Sequence, residues 1–187
     1  GRFSSMDHMA FRLTRGQEPF VLYEHDHIFS LHLIAQNLTT NSVVLEYPTL
    51  SQLKHELMNN YDYVAISFKP LDVNRLLEMC ELIRTVSPDS TIVVGGYGAI
   101  CIPAMFKGND WDGKIDEVCN GEGISYMRNL LGDHVNNGIC CSLPRGGSTL
   151  PWLNPRPVGN IGTILSGIGC SKGCHFCATS TYTNGRY

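Results

Sequence analysis

The sequence predicts an α/β fold built on a doubly wound parallel sheet, and three observations support this class. Short apolar runs alternate with segments in which apolar residues recur every three or four positions, as strands alternate with helices. Glycine-rich turns follow two of the predicted strands. The chain of 187 residues is 43% hydrophobic and 17% charged, which is the composition of a globular protein. Right-handed crossovers between parallel strands then place helices on both faces of the sheet.

The first part of the predicted domain contains three strands and two helices. The three strands are predicted at residues 20–23, 42–47 and 63–67, and the first is a short apolar run suited to burial on both faces. Apolar residues at helical spacing predict helices at 28–38 and 50–57. Thr49 precedes the second helix and is expected to cap it.

The second part of the predicted domain continues the same alternation. A long helix is expected at 71–86, ended by Pro88, and short apolar runs predict strands at 91–94 and 115–119. A weak helix is expected at 102–106, and a stronger one begins in the turn at Gly121 and runs to Leu130. All of these strands are expected to belong to one parallel sheet.

Beyond this domain the composition changes. Residues 133–160 are rich in proline, glycine and asparagine and are expected to be a linker, with one edge strand at 138–142. A last strand is predicted at 161–166, leading into a cysteine-rich loop. The predicted organisation is therefore an N-terminal extension, a sheet domain, a linker and the beginning of a second domain, at residues 1–18, 19–132, 133–160 and 161–187.

Charge and cysteine content limit the classes of function. A net charge of −3 gives no reason to expect nucleic acid or an anionic membrane as a partner. No apolar run reaches the ~18 residues of a spanning helix, and the first residues lack a signal-peptide pattern. Five of the eight cysteines are expected to be free and mostly buried, which favours a reducing cytoplasm. These are Cys80, Cys101, Cys119, Cys140 and Cys141.

The other three cysteines form a compact motif near the end of the chain. Cys170, Cys174 and Cys177 follow the pattern CxxxCxxC, with glycine before the first two. Thiolates are the usual ligands of iron–sulfur clusters, and a four-iron cluster held by three of them keeps one iron open for another ligand. The same residues could instead hold zinc, with His175 as a fourth ligand, or form a ferredoxin-like electron carrier.

This motif, with Phe176 before its last cysteine, resembles the cluster loop of the radical S-adenosylmethionine (radical SAM) enzymes. The resemblance implies a 4Fe-4S cluster on the three cysteines, Phe176 beside the adenine, and an external electron donor. The open iron would chelate S-adenosylmethionine, whose cleavage gives a 5′-deoxyadenosyl radical. It also implies a β/α barrel of on the order of 200 residues or more, of which only the first strand and the cluster loop lie before the chain ends at Tyr187.

The residues predicted at the carboxyl ends of the strands form a second candidate site, because ligands of parallel sheets bind there. They are Ser67, Gly95, Gly96, Tyr97, Gly98, Gly121, Glu122 and Gly123. Tight turns need glycine without any ligand, and a carboxylate at a helix start is favourable by itself. With the cluster loop, the pattern resembles the Rossmann-like cobalamin-binding domain that precedes some radical SAM domains. The Asp-x-His-x-x-Gly motif that supplies a cobalt ligand in related domains is absent from the sequence.

The expected function is radical cleavage of S-adenosylmethionine, with cobalamin-dependent methyl transfer to an unactivated carbon or phosphorus. Radical ring closure or rearrangement is an alternative within the same class. A methylthiotransferase would need a second cluster, for which Cys80, Cys101 and Cys119 are the candidates. A non-catalytic Rossmann-like module with a zinc or iron–sulfur loop is the alternative outside the class. The expected partners are the rest of the barrel and an unknown substrate, which the sequence does not identify.

Overall fold

A computed structural model describes residues 23–25, 28–102, 113–133, 138–142, 147–149, 167, 169–175, 177 and 179. The chain divides into two compact units. The first unit comprises Gly1–Tyr47 and Asn136–Ser166, and the second comprises Pro48–Val135 and Gly167–Tyr187. The strand predicted at 161–166, Phe176, and nearly all of the weak helix predicted at 102–106 lie outside the described residues. The predicted domain ranges stay predictions.

The described part of the first unit contains a small antiparallel sheet and one helix. Strand β1 (Tyr23–His25) pairs antiparallel with strand β5 (Gly147–Thr149), with Tyr23 opposite Thr149. Helix α1 (Phe29–Gln36) confirms the helix predicted at 28–38. Of the first predicted strand only Tyr23 is described, and its antiparallel partner makes the prediction of a parallel first strand wrong.

The strand predicted at 42–47 is also wrong. Residues 41–45 have no regular secondary structure, and Val43 is 57% exposed. The Glu46 carboxylate accepts the Ile28 backbone N–H at 2.6 Å and lies 3.1 Å from Nε2 of His32. Tyr47 has a φ of 47°, which breaks an extended conformation. The end of the predicted strand is therefore bonded to the start of α1 and does not pair with another described strand.

The edge strand predicted at 138–142 is not formed either, and these five residues are exposed. The backbone of this segment is hydrogen-bonded to side-chain amides of helix α1 and its C-cap, and not to a neighbouring strand among the described residues. Asn37 binds the carbonyl and the N–H of Cys140 at 2.8 and 2.7 Å, and Gln36 binds both backbone groups of Ser142. The linker thus forms its strand later in the chain, at β5.

The second unit contains a three-stranded parallel sheet flanked by helices, so the α/β class is confirmed. Its strands β2 (Tyr63–Ser67), β3 (Thr91–Gly95) and β4 (Glu117–Val118) lie in the order β2-β3-β4. Tyr63 pairs with Thr91, and Val93 pairs with Glu117. Among the described strands the order is sequential and never reverses, so this part of the chain contains no switch point between two halves of a sheet.

The helices of the second unit form where the apolar spacing predicts them. They are α2 (Leu50–Leu57), α3 (Val73–Val86) and α4 (Gly123–Leu130), with short 3₁₀ turns at Pro70–Asp72 and Ala99–Cys101. Thr49 caps α2 in a capping box with Gln52, as predicted. The residue after α3, Ser87, precedes Pro88, which cannot continue a helix.

The core of the second unit lies between the sheet and its helices. Strand β3 contributes three buried residues in a row, as expected for a central strand covered on both faces. The large apolar side chains that are almost fully buried include Leu57, Leu76, Cys80, Ile83, Ile92, Val93 and Val94. Within the described residues, no helix combines the length and apolar character needed to cross a membrane.

Candidate functional site

The turn after β3 is fastened to the residue that follows β2. The Phe68 N–H donates to the Gly95 carbonyl at 3.1 Å, and the Gly98 N–H donates to the Phe68 carbonyl at 3.0 Å. The Ala99 N–H closes the turn on the Gly96 carbonyl at 3.0 Å. These bonds place Ser67 beside Gly96, so two of the predicted site segments do meet at the carboxyl edge of the sheet.

Packing against Phe68 explains two of the glycines in this turn. Gly96 has a φ of 85°, and a Cβ there would lie 2.7 Å from Ser67 Oγ and 2.8 Å from the Phe68 carbonyl oxygen. A Cβ at Gly98 would lie 2.5 Å from the Phe68 ring. At Gly95 the nearest atom would be Cβ of Cys119 at 3.5 Å, an ordinary contact. Internal packing against Ser67 and Phe68 is therefore sufficient to explain glycine at positions 96 and 98, without any ligand.

The turn after β4 has the same character. Gly121 has a φ of 132°, which a side chain would oppose, and Gly123 begins helix α4. The Glu122 carboxylate accepts the N–H groups of Ile124 and Ser125 at 2.5 and 2.8 Å. Glu122 is thus the N-cap of α4, and this is the local role that its position at a helix start allows.

The cysteine loop contains three free thiols. Cys170 and Cys177 are half-buried, whereas Cys174 is exposed. Gly169 and Gly173 have φ angles of 106° and 64°, so the loop turns at the two glycines that precede cysteines. The Cys177 N–H donates to the Cys174 carbonyl at 3.1 Å, which ties the last two cysteines together by their backbone.

The three thiols are suitable ligands for an iron–sulfur cluster, but their positions in this structure do not form a metal site. Thiols of this number and spacing suit soft metals and iron–sulfur clusters. However, no group of three or more His, Cys, Asp or Glu side chains in the described part of the chain is placed to hold a metal ion. The loop would therefore have to gather its three sulfurs when a cluster binds. The same finding applies to a zinc site that includes His175.

Thr179 and Tyr97 connect the cysteine loop to the sheet, and this connection was not predicted. The Cys177 thiol donates to Oγ1 of Thr179 at 3.4 Å, and the Thr179 hydroxyl donates to the Tyr97 hydroxyl at 3.4 Å. Hydrogen bonding with the side chain and backbone of Thr179 holds the pKa of Cys177 below its ordinary value. Tyr97 is 44% exposed and lies in the turn after β3.

The remaining cysteines do not form a second metal site among the described residues. Burial raises the pKa of Cys80 and Cys119 to about 11, so both are thiols without nucleophilic character at neutral pH. Cys101 is half-buried, and Cys140 and Cys141 are exposed. The expectation of burial is therefore wrong for Cys140 and Cys141, because the amide contacts of their segment hold it at the surface.

No protein-family model, curated protein or solved structure shows significant similarity to this chain. The structure brings together Ser67, the turn after β3 and, through Thr179, the cysteine loop. The turn after β4 also follows a strand of the same sheet, but the described bonds of Glu122 are within its own helix start. The sequence analysis missed Thr179, and the one signal that could have indicated it is a polar residue two positions after the last cysteine.

Proposed function

We propose that the second unit carries a 4Fe-4S cluster on Cys170, Cys174 and Cys177 and belongs to a radical SAM enzyme. The observation that supports this most is that a loop with three free, accessible thiols is hydrogen-bonded to the carboxyl edge of a parallel sheet. A cluster ligand must be reachable by iron and sulfide, and the exposed Cys174 meets that requirement. Three thiolates leave one iron for the amino and carboxylate groups of S-adenosylmethionine.

The carboxyl edge of the sheet is the proposed place for cobalamin. In the turn after β3, the half-buried Gly95 and Gly96 would offer backbone contacts beside the exposed Tyr97, whereas Gly98 is buried against Phe68. Ser67 is exposed next to this turn and can donate a hydrogen bond from its hydroxyl. Of the predicted contacts, Glu122 is engaged as a helix cap, so its neighbours Gly121 and Gly123 would offer backbone contacts.

The proposed reaction is methyl transfer to an unactivated carbon or phosphorus. Cobalamin, when bound, supplies a metal centre that can hold and release a methyl group, while the protein orients the reactants. The residues of this chain would bind the two cofactors at one edge of the sheet. A reducing compartment such as the cytoplasm follows from the requirement for free thiols. The proposed partners are the rest of a radical SAM barrel, an external electron donor and an unidentified substrate.

The first test of this proposal is reconstitution of the whole chain with iron and sulfide under anaerobic conditions. We expect a brown protein with about four irons per chain, a count set by the cubane cluster. The Cys174→Ala variant should lose most of this iron, because two thiolates do not hold a cubane. The matched control is Cys141→Ala, which removes another exposed thiol in the first unit. A colourless chain with one zinc would instead support the non-catalytic module.

Cobalamin binding is tested separately by titration of the chain with hydroxocobalamin. We expect a saturable change in the absorption spectrum, and a weaker affinity for Ser67→Ala, which removes one hydroxyl at the carboxyl edge. The control is Ser125→Ala on helix α4, an exposed serine whose backbone N–H, and not its side chain, makes the bond to the cap. Equal affinities for the two variants would place cobalamin elsewhere.

A further inference from the structure

A chain of hydroxyl groups leads from one proposed cluster ligand to the sheet. Sγ of Cys177 and Oγ1 of Thr179 are 3.4 Å apart, an ordinary distance for a hydrogen bond to sulfur, and Oγ1 of Thr179 is 3.4 Å from the Tyr97 hydroxyl. The second distance is at the long end for two hydroxyl oxygens. The bond between Cys177 and Thr179 should therefore be stronger than the bond between Thr179 and Tyr97.

The sheet end of this chain is held firmly. Tyr97 lies in a turn whose Gly95 carbonyl and Gly98 N–H are hydrogen-bonded to the backbone of Phe68. Its neighbours Gly96 and Gly98 pack against Phe68 so closely that neither position has room for a Cβ. The backbone of Tyr97 is thus fixed to strands β2 and β3, and the tyrosine hydroxyl extends toward the cysteine loop from a rigid base. Its partner Thr179 is half-buried, so this contact is partly protected from water.

The direction of these hydrogen bonds depends on the state of the sulfur. A thiol can donate to Thr179, but a thiolate has no proton and can only accept. When Cys177 becomes a thiolate ligand, the Thr179 hydroxyl must be the donor, and the Tyr97 hydroxyl can then donate to Oγ1 of Thr179. Reorientation of the two hydroxyl protons would let both bonds persist when the sulfur has lost its proton.

We propose that Thr179 is a positioning residue that donates a hydrogen bond to Sγ of the cluster ligand Cys177, and that Tyr97 anchors Thr179 to the sheet. This inference rests on the proposed function for its cluster, and it adds the regulation of that site by the sheet. A hydrogen bond to a ligating sulfur withdraws electron density and raises the reduction potential of the cluster. The proposed cobalamin edge and the cluster would thereby be coupled through Tyr97.

The test measures the midpoint potential of the reconstituted chain by dithionite titration followed with electron paramagnetic resonance. We expect Thr179→Val to shift the potential to a more negative value and Thr179→Ser, which keeps the hydroxyl, to restore it. Tyr97→Phe should give a smaller shift of the same sign. The matched control is Tyr63→Phe, a 38% exposed tyrosine at the opposite end of strand β2, which should leave the potential unchanged. Equal potentials for Thr179→Val and the unaltered chain overturn the proposal.

A second measurement needs no cluster and separates this inference from the proposed function. Amide hydrogen exchange of the cluster-free chain reports on the bond from the Cys177 N–H to the Cys174 carbonyl. We expect faster exchange at Cys177 in Thr179→Val and Tyr97→Phe, and no change in Tyr63→Phe. Unchanged exchange in both variants refutes the anchor. A chain that takes up no iron refutes the proposed function and the tuning of a cluster, while the exchange rates still decide whether Tyr97 and Thr179 hold Cys177.

Discussion

The two edges of the parallel sheet in the second unit differ in how their polar groups are used. At the amino edge, Arg84 of helix α3 donates to three carbonyls that precede β3 and β4, those of Ser90, Gly113 and Lys114. It also bonds the Asp116 carboxylate at 2.7 Å, and that carboxylate accepts the Ile92 N–H at 2.6 Å. One guanidinium thus joins a helix to the starts of two strands.

The carboxyl edge is built from close backbone contacts and leaves side chains exposed. Gly96 and Gly98 adjoin Phe68 without space for a Cβ, and the hydroxyl contacts that reach the cysteine loop are 3.4 Å long. Leu71 is 94% exposed and Tyr97 is 44% exposed beside this edge. At the amino edge Arg84 reaches Asp116 at 2.7 Å, whereas at the carboxyl edge the contact between the Thr179 and Tyr97 hydroxyls is longer, at 3.4 Å.

This difference suggests that the two edges of one sheet serve different purposes, stability and ligand binding. Interlocked hydrogen bonds between charged and backbone groups stabilise the fold, because each partner would be costly to leave unpaired. An edge with exposed hydroxyls and thiols can instead exchange water for a ligand. In open parallel sheets, ligands bind beyond the carboxyl ends of the strands where the strand order reverses, and the order of the described strands does not reverse. Our proposal that the amino edge serves stability and the carboxyl edge serves function therefore rests on the exposed groups and not on the strand order.

The largest effect should come from adding a methyl group to the turn of the carboxyl edge. Gly96→Ala combines a left-handed backbone conformation with overlap against the Phe68 carbonyl, and we expect a loss of about 3 kcal/mol in the free energy of unfolding. The control is Gly95→Ala, which makes only an ordinary contact and should cost less than about 1 kcal/mol. Urea denaturation followed by circular dichroism measures both. Equal losses would mean that packing does not explain the glycine at position 96.

A somewhat smaller effect is expected at the amino edge. Arg84→Ala removes the donor to three carbonyls and to Asp116, and it should lower the free energy of unfolding by about 2 kcal/mol. Arg75→Ala is the matched control, since Arg75 lies on the same helix but is more exposed than Arg84. Arg75 pairs with Glu78 at the surface and donates to one carbonyl, that of Pro48, whereas Arg84 donates to three. That control should cost at most about 1 kcal/mol. If both variants lose the same stability, the amino edge is not the structural edge.

The smallest effect concerns pH. Burial raises the pKa of Asp116, but the hydrogen bonds from Arg84 and from the Ile92 N–H outweigh it and leave the pKa below its ordinary value. A carboxylate with a lowered folded-state pKa stabilises the protein above about pH 4, its unfolded value, and this contribution disappears as the pH falls through the folded pKa. Because Asp116 is partly exposed to solvent, we expect less than about 1 kcal/mol.

The measurement for Asp116 compares the unaltered chain with Asp116→Asn at several pH values. The difference in the free energy of unfolding should be largest near pH 7 and should shrink below about pH 4. Glu78→Gln serves as the control, because this exposed carboxylate pairs only at the surface with Arg75. A difference for Asp116→Asn that stays constant across this range would show that its charge has no part in holding the amino edge.

The sequence predicts the second unit well because its signals are local. Apolar spacing predicts helices α2 and α3, short apolar runs predict β2 and β3, and Thr49 precedes its helix as a cap should. Glu122 likewise stands where a helix begins. Each of these features depends on residues within one turn or one strand, and such short-range preferences can be evaluated from the chain alone.

The failures all involve partners that are distant in sequence. Tyr23 pairs with Thr149 across most of the chain, and no pattern in either segment reveals the other. The run at 42–47 has the composition of a strand, but Glu46 bonds to the start of a helix 18 residues earlier. The contact from Tyr97 to Thr179 spans 82 residues. The candidate ligands were therefore predictable from their spacing, whereas the residues that support them were not.

The difference in purpose between the two edges is tested most directly by amide hydrogen exchange of the whole chain before and after anaerobic loading with iron and sulfide. We expect exchange to slow at 169–179 and at 95–102, the loop and the turn joined through Thr179, with no change at 84–92 and 113–118. Slower exchange at the amino edge alone, or no change in any peptide of a chain that has taken up four irons, would contradict the assignment of function to the carboxyl edge.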